Sequence, residues 1–394
     1  PEDDENFVVE LRDPVGAELG SPSTVEITIF DNDGETVRVP YSVAVGMTNH
    51  LPHDIGVGIT AGVATFTDPL PELAGRGDRV EIDGFGTVFI ESCTDPWSCS
   101  VVSGRGRPPA DVLDGTVTVI APAFGSLADA VVGAADPDHL RTFNLAAGNR
   151  ALDLVCYGGL EDTTPVVIDS WVTSEFHRIR IVAADASYGH DGSWRHRGRW
   201  SGSAYRVEVD GTDCISTTVG NLSIEGLQIG CGAGPDVGVA AIRVGESAGK
   251  MEISEALIML DGTSGAAQRA GIAISSSEVL DIDVRNSIFW DLGEPGNEFQ
   301  AGILVSGPDV SLWAANNTIV GGGYGIHNID GRVTAINNLV AGSGLSSYAG
   351  DFEIDSTLNL GSDDTAPDPP AHAFGPVIVT LSLIHISEPT RPPS

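Results

Sequence analysis

The sequence predicts an all-β protein whose larger part is a parallel β-helix. Two phrases recur together along the chain, turn residues fill the spaces between them, and only one stretch has convincing helical periodicity. The first phrase appears in "SIEGLQIG", "ISEALIML", "VRNSIFWD", "AANNTIVGG" and "AINNLVAGS". Its leading apolar residues are Ile224, Ile253, Val284, Ala315 and Ile336, spaced by 29, 31, 31 and 21 residues. The second phrase lies between copies of the first, in "AAIRV", "AGIAIS", "AGILVS" and "YGIHN", around Ile242, Ile272, Ile303 and Ile326. Paired phrases at such a period mark a solenoid. The phrases are short, alternating and rich in Ile, Val and Leu, which suits strands. Gly, Ser, Asp and Asn between them leave no room for helices.

In such a coil, equivalent strands stack about 4.8 Å apart, so equivalent side chains stack too. Two residues after each leading apolar position stand Gly226, Glu255, Asn286, Asn317 and Asn338. Asn286, Asn317 and Asn338 are therefore expected to form an internal amide ladder at a tight bend. Asn tolerates left-handed backbone, and its side chain satisfies the polar groups of a bend.

The rest of the chain divides in order. Residues 1–33 hold two alternating strands beside the acidic runs "PEDDENF" and "TIFDND". Residues 34–116 read as a small all-β module, with short strands separated by Gly, Pro and Asp. The solenoid is expected over 117–361. "GSLADAVVGAADPDHL", at 125–140, places Leu127, Ala130, Val131 and Ala134 on one helical face. It sits where a solenoid needs a cap over exposed strand edges. Residues 362–380 read as a linker. The final 381–394 contain "LSLIHISEPTR", which resembles a translated sequencing-library adapter and is expected to take no part in the fold. The chain starts within a motif and is expected to be a piece of a longer gene.

The phrases "NNTIV" and "INNLV", with the "GI" phrases, resemble the right-handed parallel β-helix family, the pectate-lyase-like superfamily. "VVIDSWVTSEFHRIRI" and "HDGSWRHRGRWSGSAYRVEV" look like the opening coils of such regions in modular bacterial and phage surface proteins. The likeness covers roughly 117–361. It implies a right-handed coil and leaves activity open, since the fold hosts lyases, hydrolases, tailspikes and inert adhesins. The first 33 residues resemble the C-terminal third of a Calx-β domain, a calcium-binding sandwich. That resemblance implies Ca²⁺ as the cofactor and Glu2, Glu5, Asp31 and Asp33 as its ligands. Oxygen ligands of this kind suit the ion.

Charge narrows the partners. The chain of 394 residues has 55 acidic and 20 basic side chains, a net charge of −35. A chain this acidic is not expected to bind nucleic acid. No apolar run reaches the ~18 residues of a spanning helix. Cys93 and Cys99 flank "TDPWS", so a local disulfide is plausible in an oxidising compartment. The place is expected to be extracellular or the cell surface, among further domains of the same long chain.

Chemistry concentrates between Phe176 and Arg206, which hold six of the 20 basic residues. Trp194 and Trp200 bracket Arg195, Arg197 and Arg199. Guanidinium forks suit carboxylates and indole faces suit sugar rings, so these five residues are the candidate glycan site. The competing reading pairs the arginines with Asp185, Asp191, Glu208 and Asp210 to hold an insertion on the coils. No nucleophile elbow or phosphate loop occurs. Asp281, Asp283 and Arg285 share a strand, which ordinary outer-face spacing explains. The function expected is a structural or glycan-binding platform. The alternative is a polysaccharide lyase or glycoside hydrolase of the β-helix type, a phage tailspike included.

Overall fold

A computed structural model describes residues 36–185, 194–233, 238–262, 268–293 and 298–367, and the backbone of the strands Glu5–Glu10 and Thr24–Ile29. The protein is a parallel β-helix built from three sheets, with a closed six-stranded antiparallel barrel inserted in its opening coil. Among the described residues one short helix, Leu127–Gly133, follows the barrel.

Each full coil visits the three sheets in turn. The first sheet contains Ile179–Ala183, Leu222–Glu225, Gly249–Ser254, Leu280–Arg285, Val310–Ala315 and Arg332–Ile336. The second contains Gln228–Ala233, Leu257–Gly262, Ile288–Trp290, Thr318–Val320 and Leu339–Ala341. The third contains Val239–Val244, Arg269–Ser275, Gln300–Ser306 and Tyr324–Asn328. Neighbouring strands pair in parallel and in register, as Ile253 with Val284 and Val284 with Ala314. Alternation then sorts the side chains. Ile224, Ile253, Val284 and Ala314 enter one continuous apolar core, while Ser223, Glu252, Asp283 and Trp313 form an outer column.

The Asn pairs serve two columns. Asn286, Asn316 and Asn337 occupy the bend between first and second sheets with φ of 53°, 57° and 52°. Gly226 and Glu255 hold that position upstream, at 75° and 51°. One residue later the side chain points inward. Asn317 Nδ2 donates to Val284 O at 2.8 Å and to Asn338 Oδ1 at 3.0 Å. Asn338 repeats this with Ala314 O and Asn359 Oδ1, and Asn317 Oδ1 accepts the Ser287 amide. The ladder is thus Ser287, Asn317, Asn338 and Asn359. Asn286 is an exposed bend residue and not a rung. The expected alignment slipped by one because Ala314 and Ala315 are both small and apolar, and only Ala314 faces the core.

The solenoid begins earlier than its repeats suggest. Val37–Val43 pairs in parallel with Arg150–Cys156, so the first coil strand precedes the barrel. The barrel, formed by Ile55–Thr60, Val63–Phe66, Arg79–Ile82, Gly86–Asp95, Ser98–Val102 and Val112–Ala121, interrupts the opening coil. Its own core includes Ile59, Ile90 and Val117, and the Cys93–Cys99 disulfide ties its longest hairpin. The free edge of Val37–Val43 is covered: the Ser42 amide donates to Gly77 O and the Ala44 amide to Phe124 O. Buried edge donors need such partners.

The helix is shorter than the expected 125–140 span. Ser126 caps it by accepting the Asp129 amide at 3.0 Å. Asp162 locks it to the coils, since Oδ2 accepts both the Leu127 amide and the Tyr205 hydroxyl at 2.7 Å. Leu127, Ala130 and Val131 join the solenoid core. At the N-terminus, Glu5 pairs with Ile29, so the chain enters the first strand and leaves the second at one end of the ladder. Glu2, Asp31 and Asp33 and the side chain of Glu5, like 381–394, lie outside the described residues.

Replacing a rung should cost more than replacing a bend residue. Asn317→Leu leaves buried amides without partners and should lower unfolding free energy by roughly 1–3 kcal/mol per orphaned group. Asn286→Gly should be close to neutral, because glycine accepts positive φ freely. Denaturant titration of the two variants checks this; equal effects would refute the two-column assignment.

Candidate glycan-binding surface

The segment 194–205 crosses the outside of the bend between the first two sheets. Trp194 starts it with a backbone bond to Ala184 O and packs on Val155, Tyr157 and Val182. Tyr205, wholly buried, ends it by returning the chain to the core. Three anchors fix the stretch between them.

Arg195 is the first. Its Nη2 lies 3.0 Å from Glu225 Oε1 and 2.9 Å from Glu255 Oε2, and Nη1 lies 3.7 Å from Asp185 Oδ2. The side chain runs over Gly226, where an added Cβ would fall 2.6 Å from Nε. Glycine at this bend therefore supplies both the positive φ and the clearance. Arg180 also grips Glu225, at 2.7 Å. Burial pushes the Glu225 carboxyl up, but Arg180 and Arg195 together hold it below the usual range.

His196 is the second. Its Nε2 contacts Glu255 O at 2.6 Å, and the Gly198 amide donates to Nδ1 at 3.2 Å. These partners select the neutral tautomer with its proton on Nε2. Burial lowers the imidazole pKa, the Arg195 charge lowers it further, and the Glu255 carbonyl opposes both.

Gln228 is the third. Wholly buried, it accepts the Ser201 amide at 2.7 Å and donates to Ser201 O at 2.9 Å. Between the anchors the chain turns at Gly198, φ 74°. Trp200 lies against Gly230 and meets Trp290 edge to face, centroids 5.5 Å apart.

The five sequence candidates therefore separate. Arg195 and Trp194 hold the loop down, through ion pairs and packing. Arg197 and Arg199 are exposed and have no ion pair among the described residues. Trp200 is half-buried beside them. Glu225, Glu255 and Gln228 anchor the loop from strands and bends far off in sequence, Trp290 adds a second ring beside Trp200, and no local motif marks them. Of the expected partners, Asp185 contacts Arg195 and Glu208 binds Arg206 at 2.8 Å. Asp191 lies outside the described residues.

A polar groove of about 220 Å³ lies beside the loop on the outer face of the first sheet. Arg178, Arg180, Glu225, Glu252, Glu255 and Arg285 line it. Arg285 pairs with Glu252 and reaches Asp283 Oδ2 at 3.4 Å.

No family model matches the chain, and no curated protein matches it. Among solved structures, the catalytic domain of a GH87 alpha-1,3-glucanase in complex with tetrasaccharides is similar at 11% identity and a TM-score of 0.15, over 83% of this chain and 92% of that one. At that score the likeness bears on neither fold nor activity. No helix among the described residues is long and apolar enough to cross a membrane.

The His196 anchor gives the loop a pH dependence of fixed sign. Folding lowers the imidazole pKa, so the neutral form stabilises the loop. That contribution is present above the ordinary histidine value of about 6.5 and is lost as pH falls through the lowered folded value. Tryptophan emission should shift to longer wavelength on acidification below about pH 6.5. His196→Gln retains the donor to Glu255 O without titrating and should abolish the shift. A wild-type protein with no shift would contradict the anchor.

Proposed function

We propose that this protein is a glycan-binding platform whose 194–200 loop takes acidic polysaccharides. The observation that supports this most is the pair of exposed guanidiniums, Arg197 and Arg199, without an ion pair among the described residues, on an anchored loop whose Trp200 meets Trp290. On a chain of net charge −35, such a cationic surface would concentrate an anionic ligand locally. Guanidinium forks bind carboxylate or sulfate through charge-assisted hydrogen bonds. The anchors hold the loop before any ligand arrives, which reduces the ordering cost of binding.

The setting we infer is extracellular or at the cell surface, where the Cys93–Cys99 disulfide would persist. Kinship with the pectate-lyase-like β-helices and a Calx-β-type calcium module at the N-terminus belong to the same proposal. The antiparallel pairing of the first two strands suits the latter. The platform reading stands ahead of the enzyme reading because Glu225 and Glu252 are each neutralised by an arginine. General acid–base work needs carboxylates free to exchange protons with substrate.

Affinity electrophoresis in polygalacturonate, alginate or chondroitin sulfate gels checks the reading. The wild type should be retarded by at least one polymer, and retardation should fade as salt cuts the screening length to about 3 Å at 1 M. Arg197→Ala with Arg199→Ala should lose the retardation and unfold at the same temperature. Retardation unchanged in the double variant would refute the site. Steady release of unsaturated uronate or reducing ends would replace the platform with an enzyme.

A further inference from the structure

The outer face of the first sheet carries a second surface, distinct from the arginine loop. In register across three strands stand Glu252, Asp283 and Trp313. Trp313 is 47% exposed, on a strand whose other outer residues are Ser311 and Ala315. A large indole left half in water on a flat sheet gains little for the fold. Its neighbour Asp283 has a buried Oδ1 with no hydrogen-bond partner among the described residues. Burial pushes that carboxyl above the usual range, and the Lys250 charge only partly offsets this. An unpaired buried acceptor is costly to the folded protein alone.

The adjoining groove is electrically balanced. Arg180 and Arg285 face Glu225 and Glu252 in pairs, and Arg178 and Glu255 add one charge of each sign. A net anion or cation gains little from such a lining. A neutral polyhydroxylated ligand gains more, because each hydroxyl both donates and accepts. It can meet guanidinium and carboxylate at once with charge-assisted bonds. Trp313 lies two strand spacings, about 10 Å, from Glu252. One saccharide unit over the indole and the next ones over Asp283 and the groove would span that distance.

We propose that the column Glu252–Asp283–Trp313 and its groove form a binding site for an uncharged oligosaccharide. Trp313 supplies the stacking face for the apolar side of a pyranose. The Asp283 carboxylate, on a side chain 21% exposed, accepts a sugar hydroxyl, and Arg180, Arg285, Glu225 and Glu252 bind hydroxyls of the following units. The site does not depend on the acidic-glycan reading, since Arg197 and Arg199 take no part in it.

Isothermal titration of the full chain with cello-, laminari-, malto- and manno-oligosaccharides tests this. At least one series should bind, with affinity that salt leaves unchanged. Trp313→Ala should weaken it about tenfold or more, as loss of a central aromatic anchor does. Asp283→Asn should also weaken it, while Arg197→Ala with Arg199→Ala should leave it intact. Exposure of Trp313 means its variant should keep the wild-type unfolding temperature, which is measured alongside. Absence of binding for every series, or binding that Trp313→Ala does not reduce, overturns the proposal. Loss of acidic-polymer retention in the arginine variant leaves this outcome unaffected, so the two sites fail separately.

Discussion

In-register stacking of one coil on the next is the constraint on which this molecule depends. Each strand satisfies its backbone groups on the strands before and after it, about 4.8 Å away. A shift of one residue would turn every inward side chain outward. The core residues Ile224, Ile253, Val284, Ala314 and Ala335 hold that register as one column. The bend residues and the Asn rungs follow as columns beside it. Asn works as a rung because its amide donates to the next carbonyl and accepts from the preceding amide, as Asn317 and Asn338 do. At Ser287 the hydroxyl accepts the Ala256 amide and donates to Arg285 O, and the series of side chains ends there.

The same stacking creates the outer surfaces. Columns of Glu, Asp and Arg on the first sheet become ion-pair ladders because their strands are adjacent. The bend between first and second sheets offers Glu225, Gly226 and Glu255 to a single guanidinium, Arg195. That contact, with His196 and Gln228, turns a polar insertion into a fixed platform. Arg197 and Arg199 make no such pair among the described residues and stay exposed.

Much of this was legible in the sequence, and the gaps have physical reasons. Strand phrases at a regular period revealed the coils, since burial on one face leaves an alternating pattern. The Asn pairs revealed a ladder but not its register, because Ala314 and Ala315 look alike without neighbours. Asn359 escaped notice: its phrase "STLNLG" is too polar to match the others. Val37–Val43 looked like part of the small β module, since its partner Arg150–Cys156 follows only after the whole barrel. Within the Arg-rich stretch, residue types predicted a cluster but not its division. Whether an arginine is buried in ion pairs or free depends on carboxylates from other coils. Trp290 and Gln228 lie far from the loop in sequence and join it only through stacking.

Thiol cross-linking measures the register directly. Cysteines placed at Asp281 and Ser311 should join rapidly through a bis-thiosulfonate about one strand spacing long, because the two residues are paired neighbours on the outer face. So should cysteines at Ser311 and Arg332, one coil further on. Asp281 with Trp313, two residues out of register on the same face, should join far more slowly. Faster joining of Asp281 with Trp313 than with Ser311 would show a different register, and with it would fall the ladder, the columns and both surfaces.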